Sequence, residues 1–296
     1  MRGLPEQQSR LCLLLELWLT RVISWQKMVT KRELCVDFAP FDVAWVEQTA
    51  STNADLLAAA RQGAPANSVL VADVQTHGKG RRGRAWLAPP RSALLFSVLL
   101  RPNLEVSHAS LVTTALAVGV AEACEQIAGV RPLLKWPNDL LVGDRKLAGV
   151  LAESLSISHR LQAVVVGMGL NVHQVPVEVA PNAVCLEDVC GGFVNRLDRA
   201  TLLAAILERL SFWMTGIEVQ DKQAELLAQA RKHSATLGQR VCVYLGDGTI
   251  LEGIAQDLDQ TGALLLAEDM ASDVVAASAS RCIRVVSADV VHLRRA

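Results

Sequence analysis

The chain lacks the residue pairings that mark metal and redox chemistry. Its seven cysteines stand at 12, 35, 124, 185, 190, 242 and 282, and no two form a C-x-x-C pair. Its six histidines give no H-x-x-x-H, and neither residue type is spaced as a ligand set. No protein-held zinc site is expected, and the cysteines read as isolated thiols of a reducing cytoplasm. Excess charge is missing too. Charged residues make up 20% of the chain and the formal net charge is −1, which argues against a general nucleic-acid binder, since such proteins carry a strongly basic domain. A membrane-spanning run is absent at the N-terminus. Residues 11–19 are apolar, but Glu16 interrupts them, Arg21 follows, and the stretch is too short to cross a bilayer. The small-residue cleavage site of a secretory signal is lacking as well. Residues 1–37 are read as a non-catalytic extension, with Met28 as an alternative start.

What is present is a globular composition. With 51% hydrophobic residues in 296, the chain can bury a proper core and corresponds to about two domains. No internal repeat or low-complexity linker divides it. Mixed α and β signals run through the first part. Strands are expected at 41–46, 69–74, 94–100, 133–136, 140–143, 147–152 and 163–167. Thr52-Asn53-Ala54-Asp55 has the form of a capping box opening a helix that ends near Gly63, and helices are expected at 109–127, 201–213 and 222–233. After Gly238 the pattern changes to short strands at 240–244, 249–255, 263–266 and 282–286, separated by Gly-Asp-Gly and Asp-Gln-Thr-Gly turns. That change suggests a small β-barrel and boundaries at 38–236 and 237–296.

The most informative segment is Gly78-Lys79-Gly80-Arg81-Arg82-Gly83-Arg84, four cations among three glycines. Glycines let the backbone turn its N–H groups toward one point, and the cations place fixed charge around it. Such a loop suits an anionic, phosphate-bearing ligand. Gly78-x-Gly80-x-x-Gly83 also satisfies a dinucleotide fingerprint, but that motif must open a helix. Here Trp86-Leu87-Ala88-Pro89-Pro90 follows, and the proline pair forbids one. A Walker A loop fails because no Gly-Lys-Ser/Thr is present. A second cluster is Lys135-Trp136-Pro137-Asn138-Asp139-Leu140, followed by Arg145-Lys146-Leu147-Ala148-Gly149-Val150-Leu151. Pro137 disfavours helix at Trp136, and Asn138-Asp139 makes a turn between strands. Asp139 could hold Mg²⁺ or accept a proton, and Lys146 could project from a rigid strand toward a carboxylate. Each segment alone is equally readable as a solvated turn. Both together call for a ligand.

Taken in order and spacing, Gly-Lys-Gly-Arg-Arg-Gly-Arg-Ala-Trp, Lys-Trp-Pro-Asn-Asp-Leu and Arg-Lys-Leu-Ala-Gly-Val-Leu resemble the signature of biotin–protein ligases. Gln48-Thr49-Ala50-Ser51-Thr52-Asn53 and Gly167-Met168-Gly169-Leu170-Asn171 fit the same pattern, so the resemblance covers roughly residues 40–290. It implies an α+β fold: a catalytic domain with a mixed sheet, similar to class II aminoacyl-tRNA synthetases, and a C-terminal SH3-like barrel. It also implies a two-step activity. Biotin and MgATP give biotinyl-5′-adenylate and pyrophosphate, and the adenylate then acylates a lysine of a biotin carboxyl carrier domain, such as that of acetyl-CoA carboxylase.

Carried over by position, the resemblance puts Ser51, Thr52, Asn53 and Gln75 at the biotin head group, with Gly149 and Leu151 as backbone and apolar contacts. Lys79, Gly80 and Arg81 line the carboxylate and adenylate phosphate, and Lys146 holds the carboxylate and then the acyl phosphate. Gly78, Lys79, Arg81, Arg84, Asn138 and Asn171 are the nucleotide and adenylate candidates. Lys146, Arg81 and Asp139 are the catalytic ones. No metal is fixed by the protein alone; Mg²⁺ comes with ATP, with Asp139 as its candidate carboxylate. Trp86 and Trp136 read as packing residues beside the site, and His77 as a turn residue.

Two departures from the family pattern stand out. Lys79 occupies a position where arginine is usual, which keeps the charge but loses the planar fork and predicts a leakier adenylate. Residues 271–280 lack a glycine common near the end of the family's barrel. No paired-helix pattern precedes the Ser-Thr-Asn segment, which argues against a DNA-binding role. An Arg-Arg-x-x-Gly-Gly segment, expected of the related lipoate or octanoate enzymes, is also missing. A non-catalytic anion-binding module would not require Lys146 and the loop together. A cytoplasmic enzyme, monomeric or a ligand-promoted homodimer, is expected.

Overall fold

The computed structural model describes residues 36–176, 178, 180–191, 197–268 and 282–293, with the backbone of residues 28–29. The expectations for residues 1–27 and 271–280 lie outside the described residues.

The larger sheet comprises β1 (Met28–Val29), β2 (Asp42–Thr49), β3 (Ser68–Gln75), β4 (Ala93–Leu100), β5 (Leu133–Lys135), β6 (Asp139–Val142), β7 (Arg145–Ile157) and β8 (Arg160–Asn171). Their spatial order is β1-β2-β3-β4-β8-β7-β6-β5. Strands β2 and β3 run parallel, and the other pairs are antiparallel. The parallel pair needs a crossover, which helix α1 (Thr52–Arg61) supplies.

Alternation along the central strands divides their side chains between two layers. Ala44, Val46, Leu70, Ala72, Leu99, Ala163 and Val165 meet Leu56, Ala59 and Ala60 of α1. Val43, Trp45, Val69, Val71, Leu94, Phe96, Val164 and Val166 point the other way, into the larger core. That core is built on α2 (Ala109–Ala128), the short α3 (Leu186–Val189), α4 (Arg199–Met214) and α5 (Gln220–Lys232). The segment Val106–Ala128 is long and apolar enough to cross a membrane, with a mean hydropathy of 1.3, yet it is mostly buried inside the protein. It is a core helix. Glu122 ties it to α4 by accepting from Arg209 Nε at 2.7 Å and Trp213 Nε1 at 3.0 Å.

The capping box expected at Thr52 does not form. Ser51 is the N-cap residue and makes no side-chain cap bond, while Asp55 accepts from the Thr49 hydroxyl. Burial pushes the Asp55 carboxyl up, and that hydroxyl partly offsets the effect. The Thr52 and Asn53 side chains are engaged with Gln75, Ser97 and Glu153 on the sheet instead. Strands β7 and β8 are 13 and 12 residues long, well beyond the 147–152 and 163–167 expected, because the hairpin continues through polar residues that periodicity reads as turn.

The smaller sheet comprises β9 (Arg240–Tyr244), β10 (Ile250–Leu258), β11 (Leu264–Glu268), β12 (Cys282–Val285) and β13 (Asp289–His292), in the order β12-β11-β10-β9-β13 and wholly antiparallel. Strand β13 was not anticipated from the sequence. This sheet shares the larger core through Val241, Val243, Ala255, Leu258, Leu264 and Leu266. Trp136 Nε1 donates to Gly262 O at 3.0 Å, and Arg231 Nε meets Asp257 at 2.7 Å, closing the seam.

Candidate active site

The start of α1, the end of β3, the middle of β4, the basic loop and the β7–β8 ladder converge on one cleft of about 130 Å³. One end is neutral and polar. The Thr52 N–H donates to Gln75 Oε1 at 2.8 Å, and the Thr52 and Ser97 hydroxyls lie 2.7 Å apart. Ser97 Oγ donates to Asn53 Oδ1 at 2.7 Å, and Asn53 Nδ2 donates to Glu153 Oε2 at 2.9 Å. With the one Ser97 proton given to Asn53, the single Thr52 hydroxyl proton lies between two acceptors, Ser97 Oγ and Gln75 Oε1 at 3.1 Å. Ser51, Thr52, Asn53 and Ser97 are all buried. Asn53 occupies the space over Gly167, where any side chain would collide with its amide oxygen.

The middle of the cleft is apolar, lined by Phe96, Val150, Leu151 and Met168. The Trp86 ring lies against Gly149 and Gly169, and a Cβ at Gly169 would run into it. Its buried indole N–H has no hydrogen-bond partner among the described residues. Leaving such a donor unpaired costs about 1–3 kcal/mol.

The other end is cationic. Lys146 Nζ stands 2.6 Å from Asp139 Oδ1 and 5.6 Å from the centre of the Trp86 ring. Lys79, Gly80 and Arg81 complete this end. The loop closes on itself, since Gly80 N donates to Arg84 O at 2.6 Å and Trp86 N to Gly78 O at 2.9 Å. A 3₁₀ turn over Arg81–Gly83 lies between these bonds, with Arg82 at φ 53. Arg81 donates to Asn138 Oδ1 at 3.3 Å, Ala288 O at 3.1 Å and Ser287 Oγ at 2.8 Å. Those acceptors are all neutral. Burial lowers the Arg81 pKa, Asp289 opposes the shift, and Arg82 and Arg84 add to it. Asp139 also favours the charge, so Arg81 feels two carboxylates without a direct ion pair to either.

A second chamber of about 180 Å³ adjoins the first. Ser110, Thr113 and Thr114 of α2, Trp136, Gly262 and Ser287 help to line it, while Arg81, Asn138, Asp139, Val150 and Leu151 line both chambers. Two compartments meeting beside Arg81 suit a ligand of two parts joined at an anionic link.

Most of the residues singled out from the sequence meet here, but not all. Asn171 is buried at the end of β8, donates to Val184 O at 3.1 Å and lines neither chamber. Gly78 forms the base of the loop without facing the cleft. Arg84 reaches the cleft wall, but its guanidinium pairs with Asp289 at 2.9 Å. Sequence reasoning missed Ser97, Glu153, the α2 threonines and residues 287–289. Ser97 left one signal, as a lone hydroxyl in the apolar run of β4. Among the described residues no group of three or more His, Cys, Asp or Glu could hold a metal, and the five described cysteines are free thiols.

Comparison with known proteins gives this geometry a family. The model of the biotin/lipoate A/B protein ligase family matches residues 45–171, and that of the biotin protein ligase C terminal domain matches residues 236–276. The chain is 39% identical over 254 residues to the biotin–[acetyl-CoA-carboxylase] ligase of Mycobacterium tuberculosis, spanning 84% of this chain and 88% of that protein. It is 33% identical to the bifunctional ligase/repressor BirA of Escherichia coli over 67% of this chain and 61% of that protein. The biotin protein ligase of Aquifex aeolicus in complex with biotin and ATP superposes with a TM-score of 0.69 at 28% identity, over 86% of this chain and 99% of that one. With a curated ligase matched along most of both chains and the cleft built from the shared segments, the chain belongs to the biotin protein ligase family.

Proposed function

We propose that this protein is an ATP-dependent biotin–protein ligase that activates biotin as biotinyl-5′-adenylate and transfers it to a lysine of a biotin carboxyl carrier domain, that of acetyl-CoA carboxylase or a related carboxylase. One observation carries the reading: the order of polarity along the cleft. Neutral hydrogen-bonding groups (Ser51, Thr52, Asn53, Gln75) come first, an apolar wall second, and the cations Lys79, Arg81 and Lys146 last. Biotin presents the matching order of ureido head, apolar ring and chain, and carboxylate.

In the first step a biotin carboxylate oxygen attacks the α-phosphorus of ATP and pyrophosphate leaves. Two anions must approach each other, so positioning and charge neutralisation dominate the barrier. Lys146 exchanges its Asp139 partner for the substrate carboxylate, and Arg81 faces the phosphoryl group from the wall common to both chambers. The adjoining chamber takes the nucleotide. In the second step the carrier amine attacks the acyl carbon, AMP leaves, and Asp139 is placed to accept the lysine's proton. No acyl-enzyme is needed. Mg²⁺ would arrive with ATP and offset the triphosphate charge; Asp139 supplies a single carboxylate, too little to hold a resident ion.

In this reading residues 38–236 form the catalytic unit, residues 237–296 the C-terminal unit, and residues 1–37 take no part in the chemistry. The enzyme works in the cytoplasm, as a monomer or a ligand-promoted dimer, without a DNA-binding role. The test is pyrophosphate release with MgATP and either biotin or lipoate, with and without an apo carrier domain, read also by intact mass. Biotin-dependent release and a carrier heavier by one biotin are expected. Release with lipoate alone would move the protein to the sister activity, and silence with both acids would sink the ligase reading.

A further inference from the structure

The basic loop is anchored in the smaller sheet by one carboxylate. Asp289 opens β13, and its two oxygens are divided between Arg84 Nη2 at 2.9 Å and Arg82 Nη1 at 3.3 Å. Arg82 Nη2 also donates to Tyr244 O at 2.8 Å, and Tyr244 is the register partner of Asp289 on β9. Arg81 meets the two preceding residues, Ser287 and Ala288. Three consecutive residues at the entry to β13 thus meet three arginines of a loop more than 200 positions earlier.

These contacts are divided by charge. Asp289 takes Arg82 and Arg84, whereas Arg81 receives only neutral acceptors and keeps its charge for the cleft. Three arginines within four residues repel one another, and the turn that crowds them together holds Arg82 in the left-handed region. A single exposed ion pair adds little to stability, but a carboxylate shared by two arginines also relieves that repulsion.

Resting on the ligase reading, we propose that Asp289 is a positioning residue that latches the basic loop across the cleft and sets the lifetime of the bound adenylate. It acts through Arg82 and Arg84 and does not touch the reacting atoms.

The test uses the full chain carrying Asp289→Asn, Asp289→Glu, Arg82→Gln, or Arg82→Gln with Asp289→Asn. Hydrogen exchange at the Gly80 and Trp86 amides, which close the loop, is read first in the ligand-free protein, with the His77 amide outside it as control. Asp289→Asn is expected to speed exchange at both roughly tenfold while His77 and the melting temperature hold. Adenylate dissociation, followed after a single turnover with biotin and MgATP, is expected to quicken by roughly tenfold with the rate of its formation little changed. Asp289→Glu should restore most of the lifetime. Arg82→Gln should add little to Asp289→Asn, since both break one network, and the difference from wild type should shrink as salt rises. Unaltered loop exchange in both Asp289→Asn and Arg82→Gln would overturn the latch, as would additive effects in the double variant. Wild-type protein that forms no adenylate would defeat the ligase reading instead, and the exchange data would still decide the latch.

Discussion

At the scale of the residue, the cleft depends on groups whose neighbours give them little freedom. Lys146 is held by Asp139 and faces Trp86. Lys146→Ala removes a charge-assisted contact worth about 1.5–3 kcal/mol and leaves Asp139 near the substrate carboxylate without its counter-charge. Single-turnover adenylation should slow by roughly ten- to hundredfold, with ATP binding less affected; an unchanged rate would remove Lys146 from the chemistry. Gly167 makes a different demand, because a Cβ there would displace the Asn53 amide. Gly167→Ala should raise the KM for biotin about tenfold, or ~1.4 kcal/mol, and leave the KM for ATP alone. An equal rise in both would mean that the whole cleft had shifted. The residues of this site were largely legible because cations, glycines and the Ser-Thr-Asn run sit together in the chain. Ser287, Ala288 and Asp289 were not, since no local pattern links a strand start to a loop so far away.

At the scale of the element, the helix ends separate local from tertiary causes. Helix α4 begins on Asp198, whose carboxylate accepts from Thr201 N at 2.8 Å and Ala200 N at 3.4 Å. Burial alone would raise its pKa, but the Thr201 hydroxyl, the two amides and Arg199 together hold it below the usual value. A pKa lower in the folded state means that the stabilisation is complete above the unfolded value of about 3.9 and is lost as pH falls through the folded one. Asp198→Ala should cost about 1 kcal/mol at neutral pH, and Asp198→Asn should retain much of the cap. Denaturant titrations between pH 7 and 3 check this: the gap between wild type and Asp198→Ala should narrow below about pH 4, and a constant gap would refute the carboxylate's part. Helix α1 is the contrary case. Its sequence has the form of a cap, yet the hydroxyl and amide groups are drawn into the cleft by Gln75, Ser97 and Glu153.

At the scale of the whole molecule, the two sheets share one core. Residues of β9, β10 and β11 belong to the same buried cluster as α2 and α4, and Trp136 and Arg231 bond across the seam. A large apolar interface resists independent domain motion, so unfolding should be a single cooperative event. Near-ultraviolet and far-ultraviolet circular dichroism should give superimposable denaturation curves; two separated transitions would show that the C-terminal sheet is stable by itself. The same seam places residues 287–289 against the basic loop, and so makes the C-terminal sheet part of the cleft wall.

The sequence by itself determined most of the residues that gather at the cleft and the order of the elements, because both are written locally. Glycine and cation spacing defines the loop, alternating apolar residues define the two-faced strands, and the proline pair after the loop forbids a dinucleotide helix. Only the tertiary structure decided how far β7 and β8 extend, why the Ser-Thr-Asn run serves the cleft in preference to its helix, and why Asn171 stands outside. It also decided that Asp289 holds the loop. Each of these depends on a hydrogen bond or ion pair between distant segments, and such a contact exists only once the sheets have brought its partners within reach.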